Sequence, residues 1–426
     1  MKRKWNFIIL VLVVLAILGF SGNYDMGDAP ESIDKGDTAW MLVASAFVLL
    51  MTPGLAFFYG GMVNRKNIIS TMLQSFVALG IVSVLWIFVG FSLAFGDSIG
   101  GIIGDPRTYF LFDNVSLSPH PDFGSTIPFL LFAFFQLKFA IITPALITGS
   151  FAGRIRFRSY ILYIVLFIIF IYTPLAHMTW HPDGLLRNWG VLDFAGGTVV
   201  HMSAGFAALA GAVFLGKRKK VVHETTNTPY IILGTALLWF GWFGFNAGSA
   251  LGVNSDTVIA FANTNLASAT AMITWIFYDR FMGRKMSALN ACIGAIVGLV
   301  AITPAAGFVT LGQSIFIGAL AALISNWAIQ MKNKSQVDDT LDVFPSHGVG
   351  GVVGMVLTAV FAKEVGLVYG ETDTFIWHMI ALVLVAIFTF GGSWILYWIV
   401  NKIISLRVTE EQEKRGLDAS QHGEVY

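Results

Sequence analysis

Apolar stretches of about 20 residues recur along nearly the whole chain, and they leave few options for how it can fold. Each is close to the length that a helix needs to cross a hydrocarbon core of about 30 Å. Eleven fall at about 40–61, 70–95, 127–152, 159–176, 197–216, 230–252, 258–278, 287–303, 311–331, 346–362 and 375–404. In lipid every backbone N–H and C=O must be satisfied within the chain, so such runs form helices. Composition agrees, since 56% of the 426 residues are hydrophobic and only 12% charged, against about 25% charged in a soluble domain. The expectation is an all-α polytopic membrane protein of eleven transmembrane helices. Its 44 glycines suit close helix–helix approach. A net charge of +1 gives no basis for nucleic-acid binding, and the single cysteine, Cys292, rules out an intramolecular disulfide or a cysteine-based metal cage.

The loops set the orientation. Arg65 and Lys66, Arg154, Arg156 and Arg158, Lys217 to Lys220, Arg280, Arg284 and Lys285, and Lys332 and Lys334 fall in alternate loops; the others carry only Arg107, Arg187 and Lys363. The positive-inside rule then places the start of the first run outside and the C-terminus in the cytoplasm. Ahead of the runs, Lys2, Arg3 and Lys4 precede an apolar stretch from Phe7 to Phe20 with Gly19 and Ser21 near its end. This reads as a signal peptide over 1–21, with an uncleaved anchor as the alternative. Residues 22–405 form the membrane domain, and 406–426, rich in Glu410, Glu411, Glu413, Lys414 and Arg415, form a polar cytoplasmic tail.

Two runs carry ionisable groups where they cost most. Asp193 precedes His201 by eight residues at the head of the fifth run, and Asp339 precedes His347 by eight at the head of the tenth, with glycines after both histidines. The same spacing five helices later predicts a 5+5 inverted repeat with one extra helix, and a pathway near the midplane between the halves. A pseudo-two-fold axis would bring His201 and His347 together. Neutral imidazoles each offer one donor and one acceptor, which suits a small polar ligand; a metal would need a third ligand, and none lies at suitable spacing. Asp193 stands where an N-cap stands, ready to accept orphaned N–H groups. The run Gly241 to Ser249, GWFGFNAGS, interleaves aromatics with glycines; it fits a partly dehydrated cation or plain packing. Trp180, on the outer loop, reads as a vestibule or an interfacial belt residue.

The strings GWFGFNAGS, LDFAGGTVVH, Arg154-Ile155-Arg156-Phe157, DVFPSHGVGG and the tail LRVTEEQEKRGLDASQHGE, met in order along nearly the whole chain, resemble the Amt/Mep/Rh ammonium transporters in their bacterial branch. The resemblance implies ammonium recruitment by Trp180 and Ser249, and a gate of stacked rings from Phe139 and Phe245. It implies a pore lined by His201, His347 and Trp242, ordered by Asp193, Asp339 and Asn246. Asp342 is implied in regulation. It also implies a homotrimer in the cell (inner) membrane with ammonium, ammonia and methylammonium as substrates. A PII-type signalling protein would dock over the cytoplasmic face, and no cofactor would be needed. Two departures stand out. Lys138 directly precedes the gate residue Phe139, making it a candidate modulator that either borders the pore or pairs with a carboxylate or carbonyl at a subunit contact; Pro345 and Ser346 alter the approach to His347. An ammonium sensor of altered conductance is the nearest alternative function, and a proton-coupled carrier for another small solute the next. A membrane enzyme would need a nucleophile or metal set that the sequence lacks.

Overall fold

The computed structural model describes residues 30–219 and 225–426, together with Leu10, 13–20 and Gly22. The leader expected over 1–21 lies for the most part outside the described residues. Among the described residues, nine helices are long and apolar enough to cross a membrane. They are α1 (Lys35–Met62), α2 (Arg65–Phe95), α3 (Phe129–Phe151), α4 (Phe157–Asn188), α5 (Gly197–Leu215), α6 (Thr228–Ala250), α9 (Leu311–Lys334), α10 (Phe344–Phe361) and α11 (Asp373–Ile403). Between α6 and α9 lie α7 (Ser255–Phe281) and the shorter α8 (Ala288–Ile302). The eleven apolar runs all fall on helices, with ends within about five residues of those expected except in α4, which continues past 176 to Asn188.

Helix α7 is the most polar of them, and its contacts explain why. The Asn263 amide donates to the carbonyls of Ala306 (2.9 Å) and Val309 (2.8 Å), Ser268 donates to Ala295 O (3.0 Å), and Thr264 accepts from Asn246 (2.9 Å). These side chains are buried and tie α7 to its neighbours. Interhelical hydrogen bonds of this kind replace the hydrophobic driving force that is missing in lipid.

Small residues set how closely the halves meet. A Cβ placed on Gly234 of α6 would lie 2.3 Å from the backbone N of Phe58 on α1, and one on Gly205 of α5 would lie 2.2 Å from the backbone N of Gly348 on α10. Any side chain at either position would force the helices apart. The second crossing matters more, because it brings together the two segments that carry the histidines. Both α5 and α10 open with a wide π turn, Gly197–Met202 and Phe344–Val349, a feature that frequents functional sites. A proline is not required for such a turn, since α5 makes it without one where α10 has Pro345.

At the end of the bundle carrying Trp180, a two-stranded hairpin, β1 (Ser98–Ile99) with β2 (Ile103–Gly104), pairs Ser98 with Gly104 and Ile99 with Ile103 in antiparallel register. At the opposite end the chain folds back. The short helix α12 (Glu410–Arg415) is held by a capping box between Thr409 and Gln412. Asp418 then accepts from the backbone N–H groups of Ile69 (3.1 Å) and Ser70 (2.7 Å) at the start of α2. Gln421 accepts from Phe157 N (2.8 Å) and donates to Ile155 O (3.2 Å). The tail is thus bound back onto inter-helix segments of its own chain.

Candidate functional site

The site begins at the break between α4 and α5. The Asp193 carboxylate accepts from the backbone N–H groups of Gly196 (2.8 Å), Gly197 (2.6 Å) and Thr198 (2.7 Å), and from the Thr198 hydroxyl. Three orphaned donors of the first turn are satisfied by one side chain. The turn needs a left-handed residue, supplied by Gly196 at φ +118°, where a side chain would be strained. The Asp193 carbonyl in turn accepts from the Trp180 indole N–H at 3.1 Å. The acid therefore orders both the head of α5 and the ring that flanks it.

From Trp180 a column of rings runs into the bundle. Phe139 meets the Trp180 ring edge-on at 5.8 Å and lies 4.3 Å from Phe245, tilted 36°. Phe245 stacks at 6.0 Å on His201, which stacks at 5.4 Å on His347. Five helices supply these five rings. Phe139, Phe245 and His201 are at most 1% exposed and His347 4%, so the rings are packed out of contact with solvent. Ser249, one turn after Phe245 on α6, donates its hydroxyl to Phe245 O at 2.8 Å and keeps its lone pairs for another donor.

The histidines touch through like atoms, His201 Nδ1 to His347 Nδ1 at 3.3 Å. The far nitrogen of His201, Nε2, lies 3.3 Å from the Thr303 hydroxyl, which also takes the Trp242 indole N–H at 2.9 Å. Trp242 stacks on the His201 ring at 5.3 Å. Beyond the pair, His347 lines a small cavity with Phe58, Tyr59, Ile293, Ile296, Leu341, Val343 and Ser346, with about 10 Å³ open to the centre of a water molecule, close to the least that holds one.

Asp339 stands before α10 as Asp193 stands before α5, but it is less well served. It accepts from Phe344 N at 2.7 Å while its Oδ1 has no hydrogen-bond partner. Burial, joined by the charge of Asp342, pushes its carboxyl up to about 6, against the opposing pull of Lys332. Asp342 itself is in the left-handed region at φ 58° and forms a 2.5 Å ion pair with Lys332. It lines a cavity with Lys66, Arg218, Lys219, Glu413 and Lys414 at the tail end of the bundle. Beside it, Asp338 is paired at 2.8 Å with Arg218 and 3.8 Å with the buried Arg154; burial works to raise its carboxyl, but the Arg218 hydrogen bond and the charge of Arg154 hold it near 2.

Of the residues singled out from the sequence, Trp180, Phe139, Phe245, His201, His347 and Trp242 meet in one column with Asp193 and Ser249 bonded to it, whereas Asp339 and Asp342 lie before α10 and Lys138 and Asn246 make other contacts. Lys138 lies half-buried with its ammonium over the Phe134 ring at 5.4 Å. It forms no ion pair among the described residues of its own chain, and its ring contact lies one turn earlier on α3, outside the Phe139–Phe245 stack. Asn246 donates to Thr264 at 2.9 Å and so ties α6 to α7. Thr303 escapes the sequence reading altogether, although a signal for it exists. The string Ile-Thr-Pro-Ala occurs at 142–145 in α3 and again at 302–305 after α8, five helices apart, as an internal repeat would place it.

With this geometry in hand, the chain can be set beside known proteins. The profile of the Ammonium Transporter Family matches residues 39–426. The ammonium transporter of Aquifex aeolicus is 44% identical over 429 residues, covering 99% of this chain and 99% of its own. That of Bacillus subtilis is also 44% identical, over 92% of this chain and 98% of its own. The crystal structure of Saccharomyces cerevisiae Mep2 superposes with a TM-score of 0.85 at 33% identity, over 92% of this chain and 91% of that one. A profile spanning nearly the whole sequence, close relatives and a shared fold agree that this multi-pass membrane chain belongs to the ammonium transporter family, a family of transporters rather than enzymes.

Proposed function

We propose that the chain conducts ammonium as ammonia, with the proton shed or relayed at the histidine pair. The observation that carries this reading is the continuous ring column from Trp180 to His347, buried and without a charged side chain along it. Taking an ammonium-sized ion from water into a medium of low dielectric costs on the order of 20 kcal/mol in the idealised limit. A neutral ammonia molecule escapes most of that cost. Potassium, similar in size, has no proton to lose and no N–H to donate, so the same column that passes ammonia excludes it. Trp180 and the lone pairs of Ser249 recruit the cation at the mouth; Phe139 and Phe245 form the gate; His201 and His347 receive what passes it.

In the same reading all eleven helices cross the membrane, with Trp180 outside and the tail in the cytoplasm, and Lys217 to Lys219 on the inner side as the positive-inside rule requires. Three copies assemble, each with its own pore. A PII-type signalling protein docks over the cavity lined by Asp342, Arg218 and Lys219. The cell (inner) membrane is the location. In proteoliposomes ammonium and methylammonium should evoke transport while potassium evokes none; potassium transport comparable with ammonium would overturn the reading.

A further inference from the structure

The hydrogen bonds around Thr303 fix more than the position of His201. A threonine hydroxyl has one hydrogen to give and two lone pairs to receive with. Thr303 Oγ1 has three neighbours: Leu299 O at 2.7 Å, Trp242 Nε1 at 2.9 Å and His201 Nε2 at 3.3 Å. The carbonyl can only accept and the indole can only donate. Two oxygens 2.7 Å apart must hold a hydrogen between them, so the hydroxyl hydrogen goes to Leu299 O. One lone pair takes the Trp242 N–H. The second is left for His201, and it can be used only if Nε2 carries the hydrogen.

The consequence passes along the pair. A neutral His201 with its hydrogen on Nε2 presents a bare Nδ1, and the 3.3 Å contact with His347 Nδ1 is then a hydrogen bond only if His347 donates. His347 is left with a bare Nε2 on a ring that lines the small cavity beside Tyr59 and Ser346. We propose that Thr303 is a positioning residue that sets the tautomers of both histidines, Nε2–H on His201 and Nδ1–H on His347, so that the pair offers a single open basic nitrogen, His347 Nε2, at the end away from the phenylalanine gate. This rests on the conduction pathway proposed above. In the resting pore a proton can be taken up only from the cavity side, and proton relay from the gate side requires both tautomers to invert.

The related position in the other half sharpens the assignment. Thr143, in the first Ile-Thr-Pro-Ala string, donates to Phe139 O at the same 2.7 Å, yet its hydroxyl bonds no indole or imidazole among the described residues. Back-bonding to the fourth preceding carbonyl is an ordinary helix habit of threonine. At Thr303 the same habit uses up the hydroxyl hydrogen and turns the group into a pure acceptor for its other two neighbours.

The test compares Thr303→Val, which keeps the branched shape without the oxygen, with Thr303→Ser, which keeps the hydroxyl. Magic-angle-spinning NMR of ¹⁵N-histidine-labelled protein in lipid reads which ring nitrogen is protonated, and ammonium-evoked current in proteoliposomes reads conduction. Wild type and Thr303→Ser should show His201 protonated on Nε2 and His347 on Nδ1. Thr303→Val should show mixed tautomers and a current lower by about tenfold, the loss expected for one hydrogen bond of ordinary strength, with the half-saturating ammonium concentration little changed. Unaltered tautomers or an unaltered current in Thr303→Val overturns the proposal. Replacing His201 and His347 together by leucine separates the two levels: a silent double variant beside a fully active Thr303→Val sinks the role of Thr303 alone, whereas a fully active double variant sinks the pathway itself.

Discussion

The heads of α5 and α10 use the same spacing, aspartate then histidine eight residues on, to different ends. Asp193 is saturated, with three backbone N–H groups and a hydroxyl on its two oxygens. Asp339 holds one N–H from Phe344, leaves an oxygen without a hydrogen-bond partner, and shares its surroundings with Asp342 and Lys332. The histidines differ as well, since His201 is held from both sides by Trp242 and Thr303 while His347 opens on a cavity. The head of α5 is thus tied down at every polar atom, whereas the head of α10 keeps a titratable carboxyl beside a buried ring that borders a small cavity.

Substitutions at the two acids should split accordingly. Asp193→Ala strands three buried donors, and since capping and charge-assisted bonds are worth about 1–3 kcal/mol each, thermal unfolding in detergent should show a loss of roughly 2–4 kcal/mol or more together with loss of ammonium uptake. Asp193→Asn, which keeps one acceptor oxygen, should lose less. An Asp193→Ala protein as stable as wild type would show the cap to be dispensable.

The smaller effect is expected at Asp339, and it depends on pH. A carboxyl raised to about 6 in the folded protein binds more protons than the unfolded chain, whose aspartates titrate near 3.9. Folding stability therefore falls as pH rises from about 4 to 6 and is flat above. Asp339→Asn mimics the protonated form, so its melting temperature should exceed that of wild type at pH 7 to 8 and converge with it below pH 4. A constant difference across that range would mean that the carboxyl does not titrate in the folded state.

Much of this was legible before the structure. Hydrophobic runs gave the helices, because in lipid an apolar run of sufficient length has one way to satisfy its backbone. Even α7, which falls short of the hydropathy expected of a crossing helix, is visible as a run; its Asn263, Thr264 and Ser268 are buried and bonded to neighbours, which no run-by-run reading predicts. Asp193 stood where a cap stands, and the structure puts it in contact with the first-turn donors. The ring under Lys138 was legible in principle, since Phe134 lies four residues earlier on the same helix, α3, and residues at that spacing share a face. Thr303 was hidden because a lone threonine after an apolar run is ordinary, and only its repeat at Thr143, or the three-dimensional meeting with Trp242 and His201, gives it a meaning. The π turns at the heads of α5 and α10 were equally silent.

The central claim is that the buried imidazole pair at the foot of the ring column is the conduction site. Ammonium-evoked current in proteoliposomes, measured for wild type and for the variant with His201→Leu and His347→Leu together, addresses it directly. With reconstitution matched by protein content, wild type should give a current that the double variant lacks, while both proteins show the same assembly on size-exclusion chromatography. A double variant that is correctly assembled and conducts ammonium at the wild-type rate, with potassium still excluded, would contradict the account.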